Sequence, residues 1–189
     1  MTADRRPGPG LLLAAGAALV AGIALVVAWA ITRGGDGTPP STDPDPTAAS
    51  AAVASALAGA RPAAAPFADG GFGATEIGVG RRCLQALVAD DAAERGQGLR
   101  DVTDLGPYDG MLFVQEADST GPFTMAGTPL PLDVTWYDVA GRPVGHAAMQ
   151  PCPEGSDATC PRYPPPGPYR YALEQPSGVA SGGALGPCG

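Results

Sequence analysis

The chain has 189 residues, with 28 Gly, 22 Pro, 11 Lys plus Arg against 19 Asp plus Glu, and a formal net charge of −8. It contains no Lys, no Asn and one His, which excludes a Walker-A or Schiff-base lysine, an N-glycosylation acceptor and a multi-His zinc site. Few, scattered arginines on an acidic chain also argue against nucleic acid as a partner.

Residues 11–31 form an uncharged apolar run, Leu11 to Ile31. At about 1.5 Å per residue it spans ~30 Å, the thickness of a bilayer's hydrocarbon core. Arg5 and Arg6 precede it, while Arg33 and then Asp36, Asp43 and Asp45 follow. The positive-inside rule keeps residues 1–10 cytoplasmic and sends the rest outward as a single-pass membrane protein. The competing expectation is a cleaved signal, since Ala28-Trp29-Ala30 fits a small-x-small site, although the run exceeds the usual signal core.

Residues 32–73 read as a disordered linker rich in Pro, Ala, Gly and Asp. Thr38-Pro39-Pro40 and Asp43-Pro44-Asp45-Pro46 resist helix formation, and Ala48 to Ala60 has no broad apolar stripe with which to dock. From residue 74 to 189 the texture changes to short apolar runs separated by Gly, Pro and Asp. The alternation over Leu84 to Val88 predicts a half-buried strand. Asp91-Ala92-Ala93-Glu94 predicts a capped helix start that Gly98 ends. Met111 to Val114 predicts an apolar strand, and Val134 to Ala148 a hairpin turning at Asp138 to Gly141. Pro143 puts the second hairpin strand at an edge or bulge. Tyr169, Tyr171 and Leu173 are expected on one face of a last strand. The fold class is α+β, mainly β: a compact β-rich domain with one short helix, preceded by a transmembrane helix and the linker.

Four cysteines, Cys83, Cys152, Cys160 and Cys188, lie in the exported part, and an even count there favours disulfides. Three pairings exist. Cys152–Cys160 is favoured because it staples a Pro- and Gly-rich loop, leaving Cys83 to join Cys188. Loop entropy gives these about 2.6 and nearly 5 kcal/mol. No C-x-x-C pair is present, and His146 with Met149 and Cys152 lacks the second His of a blue-copper centre. No metal or cofactor is expected.

Asp133, inside Leu130 to Val134, and Glu174, near the end of its strand, are acids flanked by apolar residues. Buried acids must find donors or shift their pKa, so the two are weak candidates for an acid–base pair. Phe123, Met125 and Thr128 lie in Thr120 to Pro129, a plausible apolar pocket wall.

Residues from about 76 to 178 resemble the uncharacterised domain family DUF192. The resemblance runs through Glu94-Arg95-Gly96-x-Gly98-Leu99, Leu105, Gly110-Met111-Leu112-Phe113-Val114 and Phe123-x-Met125-x-x-Thr128-x-x-Pro131-Leu132-Asp133. It continues through Asp138-x-x-Gly141-Arg142, Cys160-Pro161-x-Tyr163 and Tyr171-x-Leu173-Glu174-x-x-x-Gly178. The chain departs from that pattern at Arg100, Val102, Thr124, Ala126 and Gly127, and at a shortened end, Leu185 to Gly189. The resemblance implies a compact, often exported β-rich domain with no established activity. The expectation is a membrane-anchored, extracytoplasmic binding or accessory module that meets an envelope ligand or protein partner. Its candidate surface is Phe123, Met125, Thr128, Asp133 and Glu174. The alternative is a hydrolase or lyase acting on envelope glycans or peptides through Asp133 and Glu174, which requires both carboxylates to share one cleft.

Overall fold

A computed structural model describes residues 46–179 and 182–188. The expected membrane segment, residues 11–31, lies outside the described residues, as do residues 1–10, expected to be cytoplasmic, and the first part of the expected linker. Among the described residues no helix is long and apolar enough to cross a membrane.

The chain runs α1 (Pro46–Ala58), β1 (Arg61–Pro62), a 3₁₀ turn (Ala68–Gly70), β2 (Gly73–Val79), β3 (Arg82–Ala89), α2 (Ala92–Gln97) and β4 (Gly110–Ser119). It continues with β5 (Phe123–Thr124), β6 (Leu132–Tyr137), β7 (Pro143–Met149), β8 (Arg162–Tyr163), β9 (Tyr169–Pro176) and β10 (Leu185–Gly186). One sheet has the order β1-β2-β3-β4-β9-β6-β7, with β10 also pairing β2. β5 and β8 form a separate two-stranded ribbon. The β3–β4 pair is parallel, and α2 lies in the crossover between its strands. The other strand pairs are antiparallel.

Local sequence explains most of these elements. Asp91 and Glu94 form a complete capping box at the start of α2: Glu94 N–H donates to Asp91 at 2.8 Å, and Asp91 N–H donates back to Glu94 at 3.3 Å. Gly98, with φ of 51°, ends the helix where a side chain would be strained. The β6–β7 hairpin closes through Asp138, and its register shifts at Pro143, on the sheet edge. The sheet has a core on each face. Leu87, Met111, Phe113, Val134 and Trp136 belong to the first core; Ile77, Leu84, Leu112, Tyr137 and Leu173 belong to the second.

Four expectations need correction. Residues 46–58 are helical and dock: Val53 is fully buried in the second core, Ala56 and Leu57 pack against it, and Thr75 Oγ1 donates to Ala56 O at 2.7 Å. A stripe of one Val beside small residues suffices because alanines let a helix backbone approach a sheet closely. α1 thus adds to the one short helix, α2, expected within residues 74–189. Residues 61–72 are also structured, burying Ala63, Phe67 and Phe72 in the first core. The third correction concerns β9: Tyr171 and Leu173 share the second core, but Tyr169 packs in the first. A register shift between Val114 and Ser119 separates Tyr169 from the regular alternation. β3, expected to be half-buried, is buried on both faces from Ala86 to Ala89, because Leu87 and Ala89 pack in the first core and Ala86 in the second.

Both favoured cysteine pairs are disulfides, Cys83–Cys188 and Cys152–Cys160. The long bridge brings the segment after β10 across β2. Gly78 leaves the room for this crossing, since a Cβ there would lie 2.2 Å from Pro187 O.

Candidate functional site

β9 lies between β4 and β6, so its backbone is hydrogen-bonded along both edges, and a hydrophobic core lies on each of its faces. Register places Glu174 beside Met111 on β4 and Val134 on β6, within the apolar first face. The residue is 4 % exposed, and desolvation pushes its carboxyl pKa from 4.5 up to about 8. No donor or cation among the described residues offsets that shift. At neutral pH the carboxyl is therefore mainly protonated and offers an O–H donor.

Glu174 lines an open cavity of about 170 Å³ on this face. α2 and the turn after it contribute Arg95, Gly96, Gln97, Gly98, Leu99 and Arg100 to the wall. β4 supplies Phe113 and Gln115, and the segment through β5 supplies Pro122, Phe123, Thr124 and Thr128. Tyr169 completes the lining. The Phe123 ring meets Phe113, Trp136 and Tyr169 at centroid distances of 5.1, 6.1 and 6.1 Å, which fixes its position.

Two arginines hold the wall in place. Arg95 donates to Val114 O at 2.9 Å and pairs with the exposed Glu116 at 3.4 Å, tying α2 to β4. Arg100 donates to Ala126 O at 2.6 Å and to Gly96 O at 3.2 Å, and pairs with Asp157 at 2.9 Å. Asp157 sits in the loop closed by Cys152–Cys160. That loop is stitched to the wall by Cys152 N–H donating to Thr128 O at 3.1 Å and Gly127 N–H donating to Cys152 O at 3.0 Å. The short disulfide thus braces the segment carrying Thr128.

Of the expected surface, Phe123, Thr128 and Glu174 come together at the cavity. Met125 is fully buried in the core beneath it. Asp133 is elsewhere: it pairs with Gln175 across β6 and β9, so it faces the side opposite Glu174. There it accepts from Ser177 Oγ at 2.9 Å and Gly178 N–H at 3.1 Å, closing the turn after β9. The acid–base alternative needs both carboxylates in one cleft, and the strand register separates them. His146 is exposed on edge strand β7, opposite Thr135. Glu76 lies near Cys83 and Cys188, but sulfurs joined as a disulfide offer no thiolate to a metal.

Sequence reasoning did not single out Arg95, Arg100, Gln97, Gln115 or Tyr169 as cavity residues. For Arg95 and Gln97 the one available signal was the Glu94-Arg95-Gly96-x-Gly98-Leu99 motif, whose Gly96 sits on a short helix with no packing reason visible in the sequence.

No curated protein matches the chain. A protein of unknown function from Novosphingobium aromaticivorans DSM 12444, solved by crystallography, is similar at 25% identity and a TM-score of 0.55. The match covers 67% of this chain and 93% of that one. A Sinorhizobium meliloti 1021 structure described as a "putative transcription regulator" shares the fold at 22% identity and a TM-score of 0.52, over 60% of this chain and 93% of that one. The sequence model of DUF192, an uncharacterized ACR family, matches residues 75–186, and with more than half of its length inside that match the chain belongs to the DUF192 family.

Proposed function

We propose that this DUF192 chain is a membrane-anchored, extracytoplasmic binding module whose ligand site is the cavity above Glu174. The observation that carries this reading is Glu174 itself. An acid on the central strand, among Met111, Val134 and Phe113 and with desolvation raising its pKa to about 8, destabilises the fold unless it serves something else. Gly96 supports the same site. It lies within α2, its φ is not in the left-handed region, and an added Cβ would meet nothing within 4 Å. A helical glycine costs roughly 1 kcal/mol against alanine, and here no packing contact requires it. The compartment rests on the apolar run at residues 11–31 and on two disulfides, which persist in oxidising surroundings. The net charge of −8 gives nucleic acid no support as a partner.

The test is thermal unfolding of the oxidised, full-length chain in detergent against metals, sugars, peptides, nucleotides and organic acids. A true ligand at a hundred times its dissociation constant adds about 2.7 kcal/mol. That stabilisation should vanish in Gly96→Leu, which puts a side chain at the cavity wall. Silence across the panel, or a hit that Gly96→Leu leaves unchanged, would overturn the reading.

A further inference from the structure

The lining of the cavity has a chemical bias that narrows its ligand. Glu174 is the one acid in it, and Arg95 and Arg100 are its two cations. Each guanidinium has five N–H groups. Arg100 commits three to Gly96 O, Ala126 O and Asp157, which leaves donors over. The acids paired with these arginines, Glu116 and Asp157, are outside the lining and at least half exposed, so solvent weakens their claim on the positive charge. Glu174 adds a further donor at the buried end. The volume, about 170 Å³, is close to that of cavities that admit a benzene-sized molecule.

We propose that the cavity binds a small carboxylate of roughly nine non-hydrogen atoms, which accepts the Glu174 proton and is drawn in by Arg95 and Arg100. This rests on the reading of the cavity as a ligand site. A carboxylate fits better than an amine, because two guanidiniums repel a cation and the one nearby acid is neutral. It fits better than a neutral ligand, because only an anion uses the positive charge at the wall. The same chemistry is offered by a free organic acid and by the C-terminal carboxylate of a peptide.

Binding is expected to be pH-dependent, and the charged or titratable groups that share the cavity lining with Glu174 are few. α2 and its following turn present Arg95 and Arg100, and β9 presents Tyr169, whose hydroxyl burial keeps neutral beyond its ordinary range. Met111 and Val134 beside it, and Phe123, Thr124 and Thr128 opposite, do not titrate in this range. Affinity for a carboxylate therefore holds while Glu174 keeps its proton and falls about tenfold per pH unit once it ionises.

The experiment uses the full-length chain in detergent with benzoate and cyclohexanecarboxylate as free acids and N-acetyl-alanine as a peptide terminus. Benzamide, benzylamine and the peptide amide are the matched controls. Expected is saturable binding of one carboxylate class, at least tenfold tighter than its amide, weakening about tenfold per unit above pH 8. Glu174→Gln should keep binding and lose that pH dependence, because an amide donates without titrating. Arg100→Met should weaken binding at least fivefold. If Arg100→Met does not fold, Glu174→Gln carries the test alone. Equal binding of benzamide or benzylamine, or binding whose pH profile Glu174→Gln leaves intact, would overturn the carboxylate while leaving the cavity a ligand site. A sugar or nucleotide hit lost in Gly96→Leu, with every carboxylate silent, would do the same.

Discussion

Glu174 and Gln175 are neighbours on β9, both at most 4 % exposed, and they lie on opposite faces of the sheet. Glu174 opens onto a cavity. Gln175 is sealed, and among the described residues neither of its side-chain amide atoms has a hydrogen-bond partner. Thr135 and Tyr137, on the same face as Gln175, also bury their hydroxyls. Buried polarity under a closed roof costs stability at every pH near neutrality. Buried polarity of a titratable group beside a cavity makes stability depend on protonation.

The two disulfides divide along the same line, and removing them gives the largest expected effects. The long bridge, spanning 105 residues, closes the sheet edge that both faces share. Replacing Cys83 and Cys188 by Ala should cost nearly 5 kcal/mol in denaturant unfolding of the oxidised full-length chain, in the loop-entropy picture. Replacing Cys152 and Cys160 should cost about 2.6 kcal/mol and loosen the cavity wall at Thr128. Equal losses would mean that the short bridge is more than a brace for one face.

Titration separates the faces next. Glu174 binds its proton more tightly folded than unfolded, so its contribution is full below pH 4.5 and declines as pH rises toward about 8. The decline reaches at most about 1.4 kcal/mol per pH unit, and Glu174→Gln should flatten it. On the other face Tyr137 is raised from 10.0 to about 12 by burial, so its loss falls in a separate alkaline window that Tyr137→Phe should remove. Unfolding free energy measured from pH 5 to 11 checks both. A wild-type profile that already matches Glu174→Gln between pH 5 and 8 would show that water reaches the carboxyl freely.

A smaller effect is expected at the sealed position. Gln175→Leu removes two unpartnered polar atoms at similar volume and should stabilise by about 1–2 kcal/mol, with no change in pH slope. Smallest is Gly96→Ala, expected to stabilise α2 by about 0.5–1 kcal/mol while weakening whatever binds the cavity. Destabilisation by Gly96→Ala would reveal a packing role for this glycine.

Much of the fold was legible locally. The Asp91–Glu94 capping box, the turn at Asp138 to Gly141 and the apolar run Met111 to Val114 each have a short-range cause, and each formed where expected. α1 was not legible, because its stability comes from Val53 docking on a sheet whose strands lie far along the chain. The site was half legible. Phe123, Thr128 and Glu174 were visible as odd residues in apolar or threonine-rich settings, but Asp133 carried the same signature and faces the other way.

The sequence by itself determined the family, the even cysteine count that favours two bridges, the α2 caps and the β-rich character, because these depend on motifs, parity and periodicities within a few residues. Only the tertiary structure decided that Asp133 and Glu174 part company, that Arg95 and Arg100 meet Glu174 at one cavity, and that residues 46–72 pack as part of the domain. The physical reason is register: side chains alternate across a strand, so a one-residue offset between β6 and β9 assigns two similar acids to opposite faces, and no local pattern encodes that offset.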